Sequence, residues 1–405
     1  MQRALYGVTA MTLLSYAGEY MAFTSILAWL DLLLLNNGLS TTDAYGFGFL
    51  VSATYLLISG VLAIPLGFLA DRFGRKKTAV GGCLLAGASV FAMSVTGALS
   101  GSTSVIVVIS LLLLLIGIGH ATYTVSALAY AGDVSLGTDV GEAYGLVETA
   151  EYMMFMFGTP LGSALASAFG NQPTFFITGT VLAAGALAGY VGMPESAFRR
   201  GAVPDSSPGG EAQKRGPLRL MYEAVSDSKV QTSLLSIFFV SIGFTVFRVY
   251  LTQYGAAGPF IVAIMAAASV FAAVPIGRLI DSSRKRIIFI EVGFLIEGLS
   301  LAFIFYEPSS ISVILWALVF GVAVMMVRVP QAVIIAEETV VENRASAMGA
   351  NHGVEHIGYG VGAFIGGLLL VYFGFSTLDT FWLVALISAA FGVALLPLAK
   401  SLKMA

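Results

Sequence analysis

Glu148 and Glu151 stand three residues apart, and His352 and Glu355 repeat that spacing 204 residues further on. Side chains at i and i+3 share one face of a helix. Each pair would therefore present two titratable groups to a common site, where carboxylates and imidazoles can take up and release protons. Other charged residues stand in similarly apolar surroundings: Glu19, Asp31, Glu291, Glu297, Arg248 and Arg328, together with His120 and His356. A charge placed among apolar residues is costly and faces a wet cavity or a partner. The set thus predicts proton coupling or ion binding. The plainer reading is a set of permanent ion pairs that hold helices together. Arg248 and Arg328 are expected either to bind an anionic substrate group or to neutralise nearby acids. Glu291 and Glu297 either act in the site or pair with neighbouring helices.

His352-Gly-Val-Glu355-His356 spells H-x-x-E-H, a zinc-peptidase pattern. The string lies in a glycine-rich apolar run, its counterpart is Glu148-Thr-Ala-Glu151-Tyr152, and no distal ligand has an obvious spacing, so a peptidase is the remote alternative. The expectation is no enzyme and no resident metal. A transported or coupling ion on His352, Glu355 and His356 is the nearest metal reading, since the two histidines share a face at i, i+4. Cys83 is the single cysteine, which excludes an intrachain disulfide and any multi-cysteine cluster.

The elements that position these residues follow from composition. Of 405 residues, 58% are hydrophobic and 11% charged, with a mean hydropathy of +0.90; a soluble domain carries roughly 25% charged residues. That excludes a soluble enzyme, and the net charge of -3 argues against a nucleic-acid partner. Runs long enough to cross a hydrocarbon core lie near residues 6 to 34, 44 to 69, 78 to 98, 104 to 131, 141 to 169 and 174 to 193, then 230 to 254, 256 to 279, 287 to 306, 309 to 336, 343 to 373 and 377 to 398. Of the 20 Lys and Arg, all but Arg248 and Arg328 lie at the termini or in even-numbered loops. Short cytoplasmic loops retain such residues, so both termini are expected in the cytoplasm. Residues 1–194 and 230–405 form the two expected six-span units. Residues 195–229 form a cytoplasmic linker, whose Leu218, Met221 and Val225 have the spacing of a short interfacial helix.

The halves repeat. At an offset of 210, Pro65, Gly67 and Asp71 fall on Pro275, Gly277 and Asp281, each set followed by a basic cluster. At an offset of 204, Gly145, Glu151, Gly158, Gly162 and Gly170 fall on Gly349, Glu355, Gly362, Gly366 and Gly374. Repeated bundles with a site between them describe secondary transporters.

Here the sequence resembles the major facilitator superfamily. Gly67-Phe-Leu-Ala-Asp71-Arg72-Phe-Gly74-Arg75-Lys76-Lys77 follows the superfamily's loop motif between spans 2 and 3, and Asp281-Ser-Ser-Arg284-Lys285-Arg286 is a weaker copy. Asp133 with Gly141-Glu-Ala-Tyr-Gly145 matches a further element, although Val140 replaces the usual Arg; the second half keeps it as Arg344. The resemblance implies an all-α polytopic membrane protein of 12 transmembrane helices in two pseudo-symmetric bundles, with spans 1, 4, 7 and 10 lining a cavity, which makes Glu19 near the middle of span 1 the foremost coupling or cation-binding carboxylate. It implies that Asp71 caps span 11 and that Arg75 reaches Asp133 as a latch, with Gly67, Asp281 and Arg284 in the same device. A plain tight turn with snorkelling cations is the alternative.

Gly158-Thr-Pro160-Leu-Gly162 resembles the antiporter motif of span 5, with Thr159 in place of a Gly, while span 4 lacks the intramembrane Arg of drug–proton antiporters. The favoured activity is proton-coupled efflux of an amphipathic or cationic organic molecule, from a monomer in the plasma membrane, with protons as coupling ion and no organic cofactor. The rival is a proton-coupled symporter importing a sugar or organic acid.

Overall fold

The computed structural model describes residues 2–36, 41–96, 102–135, 139–194, 226–251, 257–306, 310–368 and residue 390. The described residues form eleven α-helices: α1 (Gln2–Asn36), α2 (Thr41–Phe73), α3 (Arg75–Met93), α4 (Ser102–Ser135), α5 (Val140–Phe169), α6 (Asn171–Gly192), α7 (Ser228–Leu251), α8 (Ala257–Ser283), α9 (Arg286–Tyr306), α10 (Ser310–Glu338) and α11 (Arg344–Leu368). A 3-10 turn, Val341–Asn343, leads into α11. Each helix begins within about one turn of its predicted start. The twelfth predicted span and the predicted interfacial helix lie outside the described residues.

The expected linker ends earlier than predicted, because α7 already begins at Ser228. Asp227 supplies the reason: its Oδ1 accepts hydrogen bonds from the backbone N–H groups of Lys229 at 2.7 Å and Val230 at 3.3 Å. A carboxylate there satisfies N–H groups that a helix start leaves without partners.

Seven helices are long and apolar enough to cross a membrane by length and composition among the described residues. Large apolar side chains face outward, including Phe91, Leu187, Phe271 and Ile311. Small and polar residues turn inward, and the helices approach closely through them, the arrangement expected when the outside solvent is lipid.

The two halves repeat their internal packing. In the first half α1 packs on α5, α2 on α4 and α3 on α4; in the second α7 packs on α11, α8 on α10 and α9 on α10. The halves meet along two seams, α2 against α11 and α5 against α8. Glycine makes both approaches possible. A Cβ on Gly67 would collide with the carbonyl oxygen of Ala345, and Gly141 and Gly277 press backbone to backbone in the other seam. Gly67 and Gly277 are partners in the 210-residue register, while Ala345 and Gly141 are partners in the 204-residue register. The two sequence registers are thus the two sides of one interface, used twice.

Candidate functional site

The seams end, on the face that carries the basic loops, in two matching caps. Asp71 Oδ1 accepts from the backbone N–H of Ala345 at 3.1 Å, and its Oδ2 accepts from the N–H of Ser346 at 2.8 Å and its hydroxyl at 2.6 Å. In the second seam, Asp281 accepts from the N–H groups of Gly141 at 2.8 Å and Glu142 at 3.0 Å. Each carboxylate of one half therefore caps a helix start of the other, where the partial positive charge of the helix adds to the hydrogen bonds.

Behind the first cap lies a buried charge network. Arg75 Nε is 2.5 Å from Asp133 Oδ2, Arg75 Nη2 is 3.1 Å from Asp71, and Arg75 also donates to the carbonyl of Val341 at 2.5 Å. Arg344 Nη1 donates to the other oxygen of Asp133 at 2.7 Å. One carboxylate of the first half is thereby clasped by arginines of both halves. The second network is more exposed: Arg278 pairs with Glu142 at 2.8 Å, and Arg286 with Glu337, the mate of Asp133 in the 204-residue register, at 2.5 Å. Val140, where the superfamily motif has an arginine, accounts for the asymmetry: its mate Arg344 makes the clasp. Arg284, expected in the device, takes a left-handed backbone (φ 54) in an exposed turn and makes no contact with the latch among the described residues.

Above the latch is a cavity of about 350 Å³. Glu19, Tyr20, Phe23 and Thr24 of α1 line it with Tyr55 of α2, His120 of α4, Glu151, Tyr152 and Phe155 of α5, Phe244 and Arg248 of α7, and His356 and Tyr359 of α11. Spans 1, 4 and 7 line it as the resemblance implied. Span 10 instead stands behind the wall, where its Arg328 holds the lining residues Glu151 and Tyr359, while α2, α5 and α11 complete the lining.

Arg328 is the hub of the wall. Its Nε donates to Glu148 at 2.7 Å, its Nη2 to Glu151 at 3.2 Å, and its Nη1 to Glu355 and to the Tyr359 hydroxyl, the latter at 2.6 Å. Its guanidinium also lies over the Tyr152 ring, 5.4 Å from the centroid. The predicted symmetric pair Glu148 and Glu151 meets Glu355 on this one cation, so three carboxylates from two halves share a single positive charge. His352, the fourth member of the symmetric set, has Nδ1 3.6 Å from Glu355.

Glu19 occupies a second knot. His120 Nδ1 is 2.7 Å from Glu19 Oε2, and the hydroxyls of Tyr55 and Tyr123 each donate to the carboxylate at 2.5 Å. The tyrosines were not foreseeable: nothing in their spacing distinguishes them from packing aromatics. Arg248 differs from Arg328. It faces the cavity over the Phe155 ring at 4.8 Å and has no carboxylate partner among the described residues.

The sequence profile of the Major Facilitator Superfamily matches residues 9–327 and 252–404. The chain belongs to the Major Facilitator Superfamily. Its structure is similar to that of the human organic anion transporter MFSD10 (TETRAN), with a TM-score of 0.75 and 16% identity over 96% of this chain and 99% of that one. No curated relative matches the sequence. This superfamily member is an all-α, multi-pass membrane protein, and the family makes it a secondary transporter.

Several expected site residues of the transporter stand elsewhere. Asp31 lies on α1, but its side chain is outside the described residues. Glu297, expected to act or to pair, is fully buried on α9 with neither carboxylate oxygen hydrogen-bonded, and Glu291 also sits on α9 away from the cavity lining. The H-x-x-E-H string is divided, because Glu355 spends an oxygen on Arg328 and Tyr359. Gly158 and Gly162, read as an antiporter motif, pack against Tyr20 and Met21 of α1.

Proposed function

We propose that the protein is a proton-coupled symporter of an amphipathic organic anion, a carboxylate carried on an aromatic or branched apolar body. The observation that carries this reading is Arg248, an arginine that faces the cavity without a carboxylate partner among the described residues and lies beside Phe155, Tyr152 and Phe244. A guanidinium in a low-dielectric cavity binds a carboxylate in its planar fork, and the surrounding rings accept the apolar body. The acids of the cavity are committed elsewhere, Glu19 to His120 and two tyrosines, Glu151 to Arg328. A cationic substrate would therefore have to displace an internal partner, whereas an anionic one finds a free cation.

The sign of coupling follows from charge. Three carboxylates on Arg328 leave room for a proton, and an anion entering the cavity adds negative charge beside them. Proton and anion then favour each other's binding, and linkage makes the benefit mutual. Ligands that bind together are carried together, which is symport. Efflux of a cation in exchange for protons is the competing reading, and the acidic excess of the interior favours it.

Protein reconstituted in liposomes with an imposed pH gradient separates the two. Labelled aromatic and aliphatic carboxylates are expected to accumulate on the alkaline side, and Arg248→Ala to raise KM at least ~10-fold, the loss of one charge-assisted contact. Glu151→Gln is expected to abolish gradient-driven uptake while leaving anion exchange intact, because exchange needs no proton release. Substrate movement against the proton flux would overturn the proposal.

A further inference from the structure

Three imidazoles meet between the halves at the base of the cavity: His120 from α4, and His352 and His356 one turn apart on α11. Their ring centroids lie 5.2 Å (His120 to His352), 5.0 Å (His120 to His356) and 4.0 Å (His352 to His356) from one another, and one nitrogen from each falls within 4.8 Å of the others. All three are more than nine-tenths buried, with 6%, 2% and 5% exposure in chain order. Yet His120 Nε2, both nitrogens of His352 and His356 Nδ1 have no hydrogen-bond partner. Buried polar atoms without partners are costly, and four at one point call for something that uses them.

We propose that His120, His352 and His356 bind a divalent transition-metal ion, of the zinc and cobalt class, that staples the two halves of the transporter together. Neutral imidazole suits such ions, and three histidines form a known ligand set that leaves a fourth position open. The surroundings fit a ligand role better than a packing role. Glu19 engages His120 at Nδ1, which leaves Nε2 as the free donor atom, and Glu355 stands 3.6 Å behind Nδ1 of His352. A carboxylate behind the non-ligating nitrogen is the usual support of a metal-bound histidine, fixing tautomer and ring direction. His120 and His356 line the cavity, so an ion has a route in.

Three nitrogens on one tetrahedral ion lie about 3.3 Å apart, inside the 4.8 Å that bounds the spacing found here. Binding therefore ties α4 to α11 in the arrangement where the basic-loop face is already latched. An ion that prefers one conformation shifts the population toward it by its differential affinity. The staple differs from the nearest metal reading of the sequence, His352, Glu355 and His356, because Glu355 is held by Arg328 and His120 of the other half takes its place.

The test uses the purified full-length protein in detergent, titrated with Co²⁺. The expected result is one ion per chain with the visible absorption of a histidine-ligated site, displaced by Zn²⁺. His120→Asn and His352→Asn, from opposite halves, are each expected to weaken binding at least ~10-fold, and Glu19→Gln by ~10–100-fold through loss of the supporting carboxylate. Zn²⁺ should raise the thermal midpoint of the wild type and of neither histidine variant. Spin labels at Phe73→Cys and Val340→Cys, exposed on the basic-loop face of opposite halves, should shift to their shorter separation when Zn²⁺ is added. Co²⁺ binding that is absent, or unchanged in both histidine variants, would overturn the proposal. These readouts need no substrate, so they stand apart from the symport reading.

Discussion

Arg328 is the residue on which the interior depends. Removing one partner of a buried charge cluster leaves the others uncompensated, at a cost of about 3–5 kcal/mol, and here three carboxylates would lose their common cation. Arg328→Gln is expected to lower the thermal midpoint in detergent sharply, whereas Glu148→Gln, which removes one of three acids, should be tolerated far better. Arg328→Lys should not restore stability, since an ammonium cannot fork between Glu148 and Glu355. A wild-type midpoint for Arg328→Gln would mean that the cluster holds nothing together. The symmetric acids were legible from their spacing and their apolar setting. Their convergence on one arginine was not, because Arg328 lies 180 residues from Glu148 and 27 from Glu355 in the chain, and no local pattern encodes such a meeting.

At the scale of elements, the same device is used twice with unequal strength. Asp71 and Asp281 each cap a helix start across a seam, but only the first cap is backed by buried arginines. Asp71→Asn is expected to collapse transport with expression near normal, and Asp281→Asn to slow it less, because the pairs on its side, Arg278 with Glu142 and Arg286 with Glu337, are solvent-accessible and contribute little. Rates measured in proteoliposomes check this order, and an equal loss in both variants would refute the asymmetry. Helix starts and the repeated motif were readable because apolar run length and glycine placement are local properties. The contrast between the two caps was hidden: Val140 in place of an arginine announced a departure, but only packing revealed that Arg75 and Arg344 together clasp Asp133.

For the whole molecule, the seams and latch close one face and the cavity lies on the other side of them. Thr24→Cys in the cavity wall is therefore expected to react with a water-soluble thiol reagent supplied from the face opposite the basic loops, while Ser346→Cys, buried under Asp71, is protected. Cys83 is buried and does not interfere. Conditions that drive turnover should expose Ser346→Cys as the halves rock about the site. Protection that never changes would mean that this face does not open.

The sequence by itself determined the solvent, the number of helices over the described length, their starts and the duplication, because these follow from hydropathy, breaks and spacing along the chain. It also singled out most of the charged residues that the fold brings together in the interior, since a charge in a lipid-solvated chain is conspicuous wherever it falls. Only the tertiary structure decided their partners. It committed Glu19 to His120 and two tyrosines, put Arg328 at the centre of three acids, left Arg248 facing the cavity and brought three histidines to one point. Those outcomes depend on how the two helical halves dock, and docking is set by glycine contacts between residues more than a hundred positions apart.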